Sequence, residues 1–321
     1  MGFLDKFKLG IWNIGVVDQD ISDLMNNPNS FKIKWMKNPY CDRFFADPFL
    51  YAQDKDNYYI LAEEYIFYEA KGKISLLTVT KKDMRLIKKQ IIINEKHHLS
   101  FPYIYGEYII PEGYRSGSTY AYQRCSNGLR KIKLLDIGLI DQTFLQHEGK
   151  YWIFAMTKDK PLSKLNIYYW DNNDRIFIPH SMNPVKDDIK TARPAGRFFE
   201  YNNKLYRPVQ DSEKCYGHLV RFMEVVKLST TEYEEKEITS FSSEKFPPYN
   251  EAFHTFNVYE NCIIVDGFYE RHSFFLKPII IKMPNILKLF YNKCNHQGLK
   301  IEEIYLNDDL SNRSCFMEET C

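Results

Sequence analysis

Several signals that would fix a protein class early are missing from this 321-residue chain. There is no charge surplus. Forty-three Lys and Arg stand against 42 Asp and Glu, a formal net charge of +1, which gives no electrostatic case for nucleic acid, a partner that usually needs a basic face. Seven cysteines, at positions 41, 125, 215, 262, 294, 315 and 321, are odd in number and never show CxxC spacing. That argues against a disulfide framework and against a zinc site, and fits reduced cytosolic thiols. No apolar run approaches the roughly 18 residues of a membrane span, and residues 278–281 read as a buried strand. The start lacks the apolar core of a signal peptide and has Lys6 where a myristoylation signal needs Ser or Thr. These absences together predict a cytoplasmic protein with no transmembrane segment and no nucleic-acid partner. Helical periodicity is scarce too: only residues 21–25 and 285–292 suggest helices.

Aromatic residues, in contrast, are plentiful. Tyr (24) and Phe (23) suit pleated, half-buried surfaces, and secondarily the flat apolar faces of sugars. They recur in a pattern. Residues 44–50 read as a strand carrying Asp47, followed by a polar turn at 53–57 and the aromatic return strand 58–64; residues 72–80 and 85–94 complete a four-strand unit. Similar units open at residues 99–104, 139–145, 192–199 and 253–258, roughly 40 to 60 residues apart, the spacing of propeller blades. The chain is therefore read as all-β, a single five-bladed β-propeller with four-stranded blades over residues 1–321 and short terminal extensions, the last stretch, 307–321, fraying. A β-sandwich or two small β domains is the competing architecture.

In a propeller the first strand of each blade lines the central channel. That places Asp47, Phe101, Asp141, Arg193 and His254 around one funnel, as a small-molecule site. Each has an ordinary structural reading: Asp47 before Pro48 can cap a strand start, and Arg193 and Arg207 can form ion pairs between blades.

Ala46-Asp47-Pro48 with its Tyr58-Tyr59 return, and Ile140-Asp141-Gln142 before Tyr151-Trp152, are similar to motifs of five-bladed glycosidases. The whole series resembles more closely the propeller domain at the N-terminus of plant glucosamine inositolphosphorylceramide transferases and of bacterial surface-polysaccharide gene products. It runs from Asp47 through Ser100-Phe101-Pro102, Asp141, Ala192-Arg193-Pro194-Ala195-Gly196, Arg207 to Asp211, His254 to Asn257, and Asp266-Gly267. The glycosidase resemblance implies Asp47 as base or nucleophile and Asp141 as an orienting acid. Where those enzymes carry a general-acid Glu, this chain has Ala192-Arg193-Pro194.

Hydrolysis needs two carboxyl groups, one of them protonated. A guanidinium instead matches phosphate oxygens. The reading is therefore glycosyl transfer in surface-polysaccharide (capsule or O-antigen) assembly, from a nucleotide sugar or sugar phosphate to a saccharide or lipid-linked acceptor. Asp47, Asp141 and His254 are the catalytic candidates; Arg193, Arg197, Arg207, Asp211, Glu112, Asn257 and Asp266 are the substrate-binding candidates. Glu64, Glu112 and Asp211 are held in reserve as acids. No metal or cofactor is expected. A glycoside hydrolase or phosphorylase, and a non-catalytic saccharide-binding propeller, are the alternatives.

Overall fold

A computed structural model describes residues 8–28, 31–125 and 128–272. The expected helix at 285–292, the strand at 278–281 and the fraying stretch at 307–321 lie outside the described residues. Five antiparallel sheets form a five-bladed β-propeller. Blade 1 consists of Arg43–Gln53, Asn57–Ile66, Lys71–Thr80 and Leu86–Ile93. Blade 2 is Ser100–Tyr105, Tyr108–Glu112, Thr119–Cys125 and Gly128–Leu135. Blade 3 is Ile140–His147, Lys150–Met156, Lys164–Asp171 and Ile176–Pro179, with the short Lys186–Asp187 added against its third strand. Blade 4 is Phe199–Tyr201, Lys204–Asp211, Leu219–Leu228 and Tyr233–Ser242.

Blade 5 is assembled from both ends of the described chain. Phe256–Tyr259 and Cys262–His272 supply its inner strands, and Lys8–Val17 and Lys34–Trp35 its outer ones. The first strand runs antiparallel to Cys262–His272 from Lys8↔His272 to Val17↔Ile263. Sequence periodicity finds this strand but not its blade, because its partner lies some 250 positions away. A helix over Ile21–Asn26, capped by the Asp20 side chain, crosses to the next strand.

Local chemistry sets the hairpins. Asp54 Oδ1 accepts the Asp56 and Asn57 N–H groups at 2.8 and 2.7 Å, closing the first turn of blade 1 as an Asx turn. Asn202 and Asn203 take φ of 50° and 58°, the left-handed pair of a type I′ turn. Two blade openings are less regular than their sequences suggest. In blade 4 only Pro194 bridges Val209 before the strand at Phe199. Gly196 runs so close to blade 5 that a Cβ would stand 2.4 Å from Phe256 O. In blade 5 the His254 and Thr255 N–H groups go to the Asp266 side chain instead of a neighbouring strand.

The core lies between blades, as face-to-face packing of neighbouring sheets. Ile14, Phe45, Ile60 and Ile264 fill the seam of blades 5 and 1; Phe222, Phe256 and Val265 fill that of blades 4 and 5. Wedge-shaped gaps take large flat side chains, and this explains the aromatic excess. Ile14 is fully buried on the closing strand. Ile14→Ala should lower the unfolding free energy by about 2–5 kcal/mol in urea denaturation, whereas Ile176→Ala, at an exposed position, should change it by less than about 0.5 kcal/mol.

Candidate functional site

Three inner strands share one irregularity. Pairing with the second strand shifts register between Ala46 and Phe49, between Ser100 and Tyr103, and between Ile140 and Thr143. Within each bulge one residue takes positive φ: Asp47 at 50°, Phe101 at 42° and Asp141 at 48°. Non-glycine residues rarely adopt this conformation, and bulges of this kind re-aim a side chain. Blades 1 and 3 use it to turn a carboxyl into the channel. Blade 2 places Phe101 there, fully buried against Phe49, and its N–H donates to Asp47 Oδ2 at 3.1 Å.

The residues facing these bulges matter equally. Ala46 pairs with Glu63, Ser100 with Glu112, and Ile140 with Met156. Glu63 and Glu112 thus occupy equivalent positions in consecutive blades and both line the cleft. It is an opening of about 250 Å³ bounded also by Trp12, Phe44, Asp47, Tyr65, His98, Ser100, Asp141, Arg193, Tyr216 and His254.

At the seam of blades 5 and 1, Asp266 organises the site. Its Oδ1 accepts the backbone N–H groups of His254 and Thr255 at 3.1 and 2.9 Å. Its Oδ2 accepts the Asp47 N–H at 3.1 Å and lies 2.6 Å from His254 Nδ1. His254 Nε2 then stands 3.7 Å from Asp47 Oδ1, which also accepts the Thr255 hydroxyl at 3.1 Å. Trp12 stacks on the imidazole, centroids 3.8 Å apart and planes 11° from parallel. Burial pushes the Asp47 carboxyl up to about 6, against the opposing pull of His254. Burial also works against a charged His254, but the Asp266 and Asp47 carboxyls outweigh it and hold the imidazole above its ordinary value.

Asp47, His254 and Asp266 approach closely enough for their ligand atoms to face one cation. Asp266, however, already receives four hydrogen bonds, and a proton between it and Nδ1 satisfies the pair. These residues fit a proton relay better than a metal shell.

Across the cleft, Asp141 Oδ2 receives Arg193 Nε at 2.5 Å and Gln210 Nε2 at 2.9 Å. Arg193 continues to the Tyr216 hydroxyl at 3.3 Å. Glu112 Oε2 accepts the Asp141 N–H at 3.4 Å. Burial, then the adjacent Asp141, raise the Glu112 carboxyl well above its usual range; burial, then Asp47 and Glu112, do the same for Glu63.

The structure thus gathers Asp47, Asp141, His254, Arg193, Glu112 and Asp266 into one site, and puts four of the proposed residues elsewhere. Arg207 is fully buried and bound to Glu235 and to the Thr191 and Ala192 carbonyls. Asp211 pairs with Arg221. Asn257 clamps the Pro48 carbonyl and the Arg197 N–H at 2.8 Å each, and the Arg197 guanidinium lies over Tyr259 beside a different hollow. Glu64, one position from Glu63, points away from the cleft into a buried cluster with Arg43, Lys89 and Ser75. Glu63, Trp12 and Tyr216 are the residues sequence reading missed. Glu63 follows Asp47 by 16 positions and Glu112 follows Phe101 by 11, so their equivalence shows in the strand register and not in the spacing.

The chain matches the family described as glucosamine inositolphosphorylceramide transferase 1, N-terminal, over residues 22–254. Relatives include glucosamine inositolphosphorylceramide transferase 1 of Arabidopsis thaliana, 32% identical over 209 residues, which are 61% of this chain and 27% of that protein. The namesake of Oryza sativa subsp. japonica is 29% identical over 209 residues, 61% of this chain and 28% of its own length. The chain therefore spans little more than a quarter of the relatives it matches. Similar solved structures include a family 117 glycoside hydrolase of Zobellia galactanivorans (TM-score 0.43, 11% identity, 73% of this chain and 86% of that one). Another is a family 43 β-xylosidase/α-arabinofuranosidase from a compost metagenome (TM-score 0.45, 10% identity, 73% and 93%).

The neighbouring glutamates should respond oppositely to amide substitution. Glu64→Gln leaves Arg43 and Lys89 short of a buried counter-charge and should cost about 3–5 kcal/mol. Glu63 takes up a proton on folding, because its folded pKa lies above the unfolded value of about 4.3, so its ionisation erodes stability as pH rises from there through the folded value. Glu63→Gln should remove that loss, leaving a protein at least as stable as wild type at mildly alkaline pH, as urea titrations at several pH values will measure.

Proposed function

Because the chain belongs to the glucosamine inositolphosphorylceramide transferase 1 N-terminal family, we propose that its channel cleft is the active site of a carbohydrate-active enzyme that transfers a glycosyl group. The observation that carries this reading is that two buried carboxyls, Asp47 and Glu112, face one cleft in different surroundings. Burial lifts Asp47 to about 6 against the pull of His254, whereas burial and the adjacent Asp141 raise Glu112 well above the usual carboxyl range. Environments that push two acids apart in this way assign a base and an acid.

Asp47 takes the proton of an acceptor hydroxyl as its oxygen bonds to the anomeric carbon. The bond to the leaving group breaks, and Glu112 delivers its proton to the departing oxygen. Asp266 fixes the His254 ring and the Asp47 backbone, and His254 opposes the burial that raises the Asp47 carboxyl. Arg193, anchored by Asp141, is the permanent cation of the cleft and offsets negative charge on a phosphate-bearing leaving group. The partners are then an activated sugar, as a nucleotide sugar or sugar phosphate, and a saccharide or lipid-linked acceptor. Assembly of a surface polysaccharide such as a capsule or O-antigen is the setting we assign. A second reading, hydrolysis, draws on the same pair of carboxyls, with water replacing the acceptor.

Purified protein offered sugar phosphates, nucleotide sugars and glycosides, with and without acceptors, should turn over one of them. Asp47→Asn should reduce that rate by about 10²–10⁴-fold while the protein stays folded. Turnover should rise with pH through about 6 as Asp47 ionises and fall again as Glu112 loses its proton. An unchanged rate in Asp47→Asn removes it as the base; product formed from a donor without acceptor selects hydrolysis.

A further inference from the structure

The loop that follows the second strand of blade 4 brings an aromatic residue into the cleft, and the proton transfers above do not use it. Tyr216 lines the opening together with Asp141, Arg193 and His254. Its ring stands edge-on to Trp12 and to the His254 imidazole, at centroid distances of 6.4 and 5.4 Å. The Arg193 guanidinium lies 5.1 Å from the ring centroid, and its Nη2 donates to the phenol oxygen at 3.3 Å. The residue is 45% exposed, yet burial raises the phenol well above its ordinary value. One flank of the ring therefore meets solvent while the hydroxyl reaches inward.

The loop that carries it is tied down at several points. Asp211 Oδ1 accepts the Glu213 N–H at 2.8 Å, while Oδ2 of the same carboxylate receives Arg221 Nε at 3.0 Å. Glu213 pairs with Lys190 at 2.9 Å. The Ser212 hydroxyl accepts the Gly217 N–H at 3.2 Å, and the Gly217 carbonyl accepts the Phe253 N–H at 2.6 Å. Gly217 takes φ of 63°, and a Cβ there would stand 2.6 Å from the His254 Cβ, so glycine is what lets the chain turn this close to the imidazole. Asp211 lies outside the cleft, but it anchors a residue inside it.

A phenol is both an acceptor and a donor. In the contact with Arg193 the Tyr216 oxygen accepts, so its own hydrogen is a second donor beside the guanidinium. Two such donors side by side suit an oxygen that carries negative charge. A ring that only covered His254, or only gave a sugar a flat face, would do the same as phenylalanine. The hydroxyl next to a cation is the feature to be explained.

We propose that Tyr216 is a catalytic residue of the cleft, whose hydroxyl donates a hydrogen bond to a non-bridging oxygen of the phosphate-bearing leaving group alongside Arg193, with loop 212–218 holding it in place. The inference rests on the cleft being the site of glycosyl transfer. No proton changes hands at Tyr216: the phenol stays neutral, and Glu112 remains the acid that protonates the departing oxygen.

Tyr216→Phe keeps the ring against Trp12 and His254 and removes only the hydroxyl. Calorimetric titration of inorganic pyrophosphate and of glucose into the full chain and into this variant tests the assignment without turnover. Wild type should bind pyrophosphate about tenfold more tightly than Tyr216→Phe, or more, the factor that one hydrogen bond to a charged group supplies. Glucose affinity and stability in urea should be the same in both proteins. With a phosphate-bearing donor, kcat/KM of the variant should fall by a similar factor. Equal pyrophosphate affinities overturn the proposal, and so does a loss that falls equally on pyrophosphate and glucose, which makes Tyr216 a cover for the cleft. Glucose binding without pyrophosphate binding defeats the role of Tyr216 alone, whereas binding of neither defeats the reading of the cleft with it.

Discussion

Everything at the centre of this molecule depends on the four hydrogen bonds accepted by Asp266. Its carboxyl lies on a strand of blade 5 and reaches the backbone of His254 and Thr255, the imidazole of His254, and the backbone of Asp47 in blade 1. One fully buried acid therefore joins the last blade to the first and aims the base of the proposed reaction. Burying a charge is costly unless it is fully hydrogen-bonded, and here the donors that satisfy it are the groups that must be held. Closure and site share a cause. The strand that completes blade 5 also carries Trp12, which stacks on His254, so the ring cannot close without covering the imidazole.

The same chain uses carboxyls in two opposed ways. Glu64, Glu235 and Asp211 sit beside guanidinium or ammonium groups and hold sheets together. Glu63 and Glu112 sit in a cleft crowded with other acids, and there burial and mutual repulsion raise both carboxyls well above their usual range. The first arrangement stabilises a fold. The second is costly to it, and a cost of that kind at the channel mouth is a mark of a working site. In the proposed reaction Glu112, one of the reserve acids on the return strands, is the proton donor that the motif series lacks at Ala192.

Much of the fold is legible in the residues. Alternating apolar positions in Lys71–Thr80, the Asx turn at Asp54 and the paired Asn202-Asn203 are local signals, and local signals define strands and hairpins. The recurrence of the Asp47 and Asp141 bulges is local too, which is why both acids were found. Glu63 against Glu64 was not separable from sequence alone. Adjacent strand residues face opposite sides, but which side is the channel depends on the blade's place in the ring.

The sequence by itself determined that the chain is all-β, that it repeats as five blades, and that acids stand at the first and third inner strands, because each of these follows from side chains a few positions apart. The tertiary structure decided which charged residues meet. Arg207, Asp211 and Asn257 look as functional as Arg193 along the chain, yet their partners lie in their own blade or hold backbone between blades. Lys8–Val17 finds its place only when the ring closes. The upward shift of the Glu63 and Glu112 carboxyls comes from burial and from neighbours contributed by other strands and other blades. No spacing along one strand encodes that.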